Sequence, residues 1–149
     1  MNDIYVDVWD INTQTIDTNK AIAFVQNGSN GANALFLGVV RNLNHGKQVL
    51  GVSYDVYDEL AKNSFKEICE EARQQWGEQL KLYIIHAKGR LDIGGVSIVI
   101  AAGTPHRDES FKACRYVIEE IKKRSPVWKK EHYVGGDSEW VQGHALCSH

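Results

Sequence analysis

From about Asp58 to Trp76, the residues Leu60, Ala61, Ser64, Phe65, Ile68, Cys69 and Ala72 recur at spacings of three and four. Lys62, Lys66, Glu70 and Arg73 fall on the opposite side. That spacing predicts a long helix with one buried stripe, which must be covered by another layer of structure. The flanking segments supply the layer. Ile4–Trp9 is β-branched and aromatic, and reads as a short strand. Ala32–Val40 is nearly continuous in apolar residues and reads as a buried strand that delivers Arg41-Asn42 at its end. Val49–Tyr57 alternates as its pairing strand, after a polar turn at Leu43–Lys47. Two further strands are expected at Lys81–Ala87 and Val96–Ala102, separated by the glycine-bearing stretch Gly89–Gly95.

Two more helices complete the pattern. One lies between Thr15 and Gln26, with Asp17 or Thr18 as N-cap and Gly28 to Gly31 as the break. The other runs from about Glu109 to Arg124, with Phe111, Cys114, Val117, Ile118 and Ile121 as its apolar face. Pro126 biases Ser125 out of the helical region and ends it. Trp140-Val141 reads as a closing strand. Strands adjacent in sequence, interspersed with helices, argue for an α+β domain with a mixed or antiparallel sheet and two main amphipathic helices. Residues 1–149 read as one domain, with a tail from about residue 142.

With 149 residues and a net charge of −2, the chain has no bulk attraction for nucleic acid or acidic membranes. No stretch approaches the roughly 18 apolar residues of a spanning helix. The N-terminus lacks the basic and apolar regions of a secretory signal. Cys69, Cys114 and Cys147 are odd in number and outside any Cys-x-x-Cys spacing, which points to a reducing, cytoplasmic setting.

The charge is unevenly placed. Residues 106–132 hold eight Lys/Arg against five Asp/Glu. Lys122, Lys123 and Arg124 would complement the macrodipole at a helix C-terminus. That explanation does not extend to Trp128-Lys129 beyond the proline. Lys122 borders the apolar face, where partial desolvation would lower its pKa and suit it to proton transfer. His106-Arg107 lies past the end of one core strand and at the start of a helix, a favourable address for a phosphate or carboxylate. It also suits an arginine paired with Asp108 or Glu109. Arg41 has a similar address at the end of strand 32–40.

Other groups are weaker candidates. Cys69 and Cys114 sit on apolar helix faces and read as small core residues. His144, Cys147 and His149 lack a fourth ligand at zinc spacing, so no metal is expected. Gly28 to Gly31 follows a helix rather than a strand and is no phosphate loop.

Taken in order, Gly38-Val39-Val40-Arg41-Asn42, Gly89-x-Leu91-x-x-Gly94, His106-Arg107, Lys122-x-Arg124-x-Pro126-x-Trp128-Lys129-x-Glu131, Gly136-Asp137 and Trp140-Val141 resemble the family of the large catalytic subunit of molybdopterin synthase. The match spans about Ala32 to Val141. The resemblance implies an α/β hammerhead fold and a homodimer that binds two small ubiquitin-like sulfur carriers. It implies a sulfurtransferase that turns cyclic pyranopterin monophosphate (precursor Z) into molybdopterin. The sulfur would arrive as a thiocarboxylate on the carrier's C-terminal Gly-Gly tail, with no cofactor held by this chain. By motif position, Lys122 and Lys129 would be catalytic, Arg41, His106 and Arg107 would bind the phosphate or pterin end, and Phe36 and Ile118 would be pocket walls. Ile118 stands where the family carries methionine, and Gly95 where an acidic residue is usual. Two other readings of the basic edge remain open. One is a non-enzymatic anion- or nucleic-acid-binding module, which would weaken steadily with salt. The other is a cysteine sulfurtransferase, which would need a thiol in a cationic loop.

Overall fold

The computed structural model describes residues 3–142. The strands are β1 (Ile4–Asp10), β2 (Ala32–Val39), β3 (Leu43–Asn44), β4 (Lys47–Val56), β5 (Lys81–Asp92), β6 (Val96–Thr104), β7 (Val127–Tyr133), β8 (Gly136–Asp137) and β9 (Val141–Gln142). The helices are α1 (Thr18–Val25), α2 (Asp58–Trp76) and α3 (Arg107–Arg124). The class is α+β, with one parallel pair (β1 on β5) in an otherwise antiparallel sheet.

β5 is the spine. Its first part, Lys81–Lys88, lies between β1 and β6, and β2 extends that half as an edge strand. Its last part, Gly89–Asp92, pairs instead with β4, which leads to β7, β8 and β9. The strand changes partners at Gly89, where φ is +112° and an added Cβ would sit 2.7 Å from Ile11 Cγ2. Only glycine tolerates both conditions at once.

α2 and α3 cover one face of the first half-sheet. Phe65, Ile68, Val117 and Ile121 pack there on Leu82, Ile84, Ile98 and Ile100. Phe65 is fully buried, so truncating it to alanine would cost about 3–5 kcal/mol. On the other face α1 lays Ala21 and Val25 against Tyr83, Ile85, Val99 and Ala101. Asp17 caps α1 by accepting from the Asn19 backbone N–H at 2.9 Å. Gly77, at φ +117°, closes α2 with its N–H on the Arg73 carbonyl.

Four expectations are corrected. Val49–Tyr57 does not pair with strand 32–40; β4 pairs with β5 and β7, and β2 pairs with β6. The stretch 89–92 is strand rather than loop, so the β5–β6 turn is only Ile93-Gly94-Gly95. The segment after Pro126, where no strand was expected, is β7, stitched to β4 along seven residue pairs. Leu60 and Phe111 were placed on buried stripes but are 63% and 65% exposed. Each lies one position off the row its helix buries, since the neighbouring Ala61 and Ser110 are buried in the same turns.

Candidate active site

Two cavities open at the end of the sheet where β2 finishes and α3 runs out. One is narrow, about 100 Å³, with Phe36, Ile98, Ile118 and His86 among its walls. The other is about 380 Å³ and more polar, and its rim includes Arg41, Asn44 and Glu131. Gly38, Tyr54, Ser97, Lys122 and Lys129 line both.

Local sequence builds this junction. A Cβ on Gly38 would meet Ile98 Cγ2 at 2.8 Å and Ser97 Oγ at 2.9 Å, so glycine keeps the wall open. Ser97 Oγ donates to the Gly38 carbonyl at 3.1 Å. The register slips between Gly38 and Val39, a bulge that releases the chain from β6 toward Arg41. The Val40 backbone is then pinned on both sides of the β5–β6 turn. Its N–H donates to the Gly95 carbonyl at 3.0 Å, and its carbonyl accepts from Gly94 at 2.7 Å.

The lysines arrive from different elements. Lys122 lies in the last turn of α3. Ser125 caps that turn, its N–H donating to the Ile121 carbonyl at 3.1 Å, and Pro126 prevents continuation. β7 begins one residue later and places Lys129 opposite Tyr54. Alternation puts Val127, Lys129 and Glu131 on one side of β7, the side toward the cavities. Glu131 is buried. Its two carboxylate oxygens accept from Asn44 Nδ2 at 2.9 and 2.8 Å, and Arg41 Nη2 donates to Asn44 Oδ1 at 3.4 Å.

Burial holds the Lys129 ammonium below the usual lysine range. Glu131 opposes the shift, and the charges of Lys122 and Arg41 add to it. The desolvation anticipated for Lys122 therefore falls on Lys129, since Lys122 itself is exposed. Such a set can bind two anions side by side and stabilise charge that develops between them.

Phe36, Ile118, Arg41, Lys122 and Lys129 come together as expected. His106 and Arg107 do not. They stand at the first turn of α3 while Lys122 stands in its last, fifteen residues and therefore about 22 Å away along the axis. β2 and β6 are antiparallel, so the ends of these two core strands point to opposite edges of the sheet. His86, Tyr54, Ser97 and Asn44 line the site without having been singled out. Glu131 could have been found from its place in the Lys-x-Arg-x-Pro-x-Trp-Lys-x-Glu run, whereas the other four carry no local signal.

No group of three or more His, Cys, Asp or Glu among the described residues is placed to hold a metal ion. The tail cluster His144, Cys147 and His149 lies outside the described residues. Among the described residues no helix is long and apolar enough to cross a membrane.

The family model "MoaE protein" matches residues 11–124. A molybdopterin synthase catalytic subunit of Synechococcus elongatus is 44% identical over 132 residues, covering 89% of this chain and 80% of that one. The crystal structure of molybdopterin synthase from Staphylococcus aureus superimposes with a TM-score of 0.83 at 29% identity, covering 95% of this chain and 98% of that one. A complex of subunits 1 and 2 of molybdopterin-converting factor from Helicobacter pylori shares the fold, with a TM-score of 0.66 at 22% identity over 90% of this chain and 87% of its own. The chain belongs to the MoaE family, that of the molybdopterin synthase catalytic subunit.

Proposed function

We propose that this chain transfers sulfur from the C-terminal thiocarboxylate of a small ubiquitin-like carrier to cyclic pyranopterin monophosphate, forming the dithiolene of molybdopterin. The observation that carries the reading is the junction of two cavities at Lys122 and Lys129. The wider, polar cavity with Arg41 suits a phosphate-bearing pterin. The narrow one suits a tail of glycines, which has no side chains to exclude. Both ligands are anions, and the two lysines lie where their reacting carbons would meet. Lys129, whose ammonium burial holds below the usual lysine range, is the proton carrier in this reading. Lys122 stays near solvent as the charge-stabilising partner.

The same reading includes a homodimer core that carries one carrier subunit on each copy. His106 and Arg107 can reach a phosphate beside Arg41 only from a second copy of the chain. The β2 edge offers Leu35, Leu37 and Val39 to such a copy, all of them substantially exposed. The Helicobacter relative, itself a two-subunit complex, is consistent with a small second subunit. The whole span 1–149 would act as one domain in the cytoplasm, in keeping with the free thiols of Cys69 and Cys114. A nucleic-acid-binding module is disfavoured because Lys129 and Arg41 converge on a cavity rather than along an open stripe.

The test is to mix the purified chain with thiocarboxylated carrier and cyclic pyranopterin monophosphate and assay for a dithiolene pterin. Product that disappears when the carrier's terminal Gly-Gly is removed supports the reading. Absence of product with intact carrier overturns it.

A further inference from the structure

His86 plays no part in the roles assigned above, yet it is set with care. It lies on β5, on the same face as Leu82 and Ile84, beneath α2. Its ring is 6.5 Å from that of Phe65 and 5.2 Å from that of Tyr54, which meets it edge-on at 71°. Its Nδ1 lies 2.8 Å from the Ala87 carbonyl oxygen. A carbonyl can only accept, so Nδ1 carries the hydrogen and Nε2 carries a lone pair. Burial pulls the ring's pKa down to about 4, against the Ala87 carbonyl and with the Lys122 charge assisting, so the ring is neutral at physiological pH.

His86 is buried, and its Nε2 has no hydrogen-bond partner among the described residues. His86 helps to line the narrow cavity and does not line the wider one. Lys122 and Lys129 bring donors to that cavity, and the Ser97 hydroxyl hydrogen is committed to Gly38. His86 therefore adds a ring acceptor with no hydrogen of its own to a chamber whose other polar groups are the two lysines and the Tyr54 and Ser97 hydroxyls. A C-terminal glycine matches both halves of that chemistry. Its terminal thiocarboxylate is an anion for the lysines, and two bonds from the thiocarboxylate carbon it carries one backbone N–H.

We propose that His86 Nε2 accepts a hydrogen bond from the backbone N–H of the carrier's last glycine and so sets the depth and rotation of the thiocarboxylate between Lys122 and Lys129. The proposal rests on the reading that the carrier tail enters the narrow cavity. A pterin N–H is the competing donor, but the pterin's place is the wider cavity, which His86 does not reach.

The test is nitrogen-15 NMR of the full chain labelled at histidine, titrated with carrier ending in the unreactive Gly-Gly carboxylate. The His86 Nε2 signal is expected at the unprotonated position in the free chain, and to move upfield as carrier saturates. Carrier whose last residue is N-methylglycine, which lacks the N–H, should bind without moving it. In turnover, His86→Leu is expected to raise KM for thiocarboxylated carrier about 2- to 10-fold with kcat little changed, the range of one neutral hydrogen bond. His86→Gln keeps an acceptor, should stay close to wild type, and guards against a folding defect in the leucine variant. An Nε2 signal unmoved at saturating carrier, or moved equally by the N-methylated tail, overturns the proposal while leaving the proposed function standing. So does a signal moved by the pterin alone. Failure of any carrier to bind overturns both.

Discussion

Asn44 donates its side-chain amide to both oxygens of the Glu131 carboxylate, at 2.9 and 2.8 Å, across 87 positions of sequence. The same nitrogen donates to the Tyr133 hydroxyl at 3.1 Å, and Asn44 Oδ1 accepts from Arg41 at 3.4 Å. One buried amide thus ties the cavity-facing row of β7 to the arginine beyond β2. Asn44→Ala would leave a buried carboxylate without that donor, at a cost of about 1–3 kcal/mol. The expected result is a lower urea midpoint together with weaker pterin binding, since Arg41 loses its rest. A melt and a KM both at wild-type values would refute the linkage.

Lys129 sets a pH dependence. Its folded-state pKa is depressed by burial, so the neutral amine becomes available at lower pH than in a free lysine. If that amine moves the proton, kcat should rise with pH and level off below the usual lysine range. Lys129→Arg, which stays charged, should lose about 10²–10⁴-fold in turnover. For stability the sign is also determined. Between the folded and unfolded pKa values the unfolded chain binds the extra proton, so stability increases with pH through that window. Lys129→Met should therefore be no less stable than wild type at pH 7 while being inactive, and a marked loss of stability would contradict this account.

His86 sets an opposite boundary, in acid. Its pKa falls from 6.5 to about 4 on folding, so the unfolded chain gains the proton first as the pH drops. Stability from the neutral ring is complete above pH 6.5 and is lost as the pH falls toward 4. The maximum loss is roughly 3 kcal/mol by linkage. Urea unfolding at pH 7 and near pH 4.5 should show this component in wild type and its absence in His86→Gln. Equal acid sensitivity in both proteins would assign the effect to other groups.

The position of His106 and Arg107 at the far end of α3 predicts complementation. Lys122→Ala and Arg107→Ala chains should each be nearly inactive alone. If the site takes Lys122 from one copy and Arg107 from the other, mixed dimers contain one intact site. Subunit exchange should then restore activity toward about one quarter of wild type, since half of a random mixture is hetero-dimeric. No recovery after verified exchange would place all essential residues within one chain.

Sulfur is not expected to rest on this chain. Burial pushes the Cys69 thiol far above its usual range and the Cys114 thiol up to about 11. Neither is a nucleophile at neutral pH. Cys147 lies outside the described residues. The triple variant Cys69→Ala, Cys114→Ala, Cys147→Ser should retain turnover, at about 1 kcal/mol of stability per core site. A folded triple variant that cannot use thiocarboxylated carrier would show that the chain itself relays sulfur.

Local regularities were legible in the sequence itself. The α2 stripe, the Asp17 cap, the end of α3 before Pro126 and the run Lys122 to Glu131 each depend on residues within a turn or two of one another. Phe36, Ile118, Arg41, Lys122 and Lys129 are far apart along the chain, and only the family resemblance put them in one site; all five line the two joined cavities. The tertiary structure decided what depends on strand pairing. Val127–Tyr133 has its apolar residues at the two ends around the polar run Lys129 to His132 and shows no alternating strand pattern of its own. It becomes β7 because β4 completes its hydrogen bonds and Asn44 satisfies Glu131. His86 looks like one more residue of a buried strand until the register places it under the narrow cavity. His106 and Arg107 follow a core strand just as Arg41 does, but antiparallel pairing sends neighbouring strand ends to opposite edges of the sheet. Spacing along a chain carries no information about strand direction, and direction is what separates these cations from Lys122.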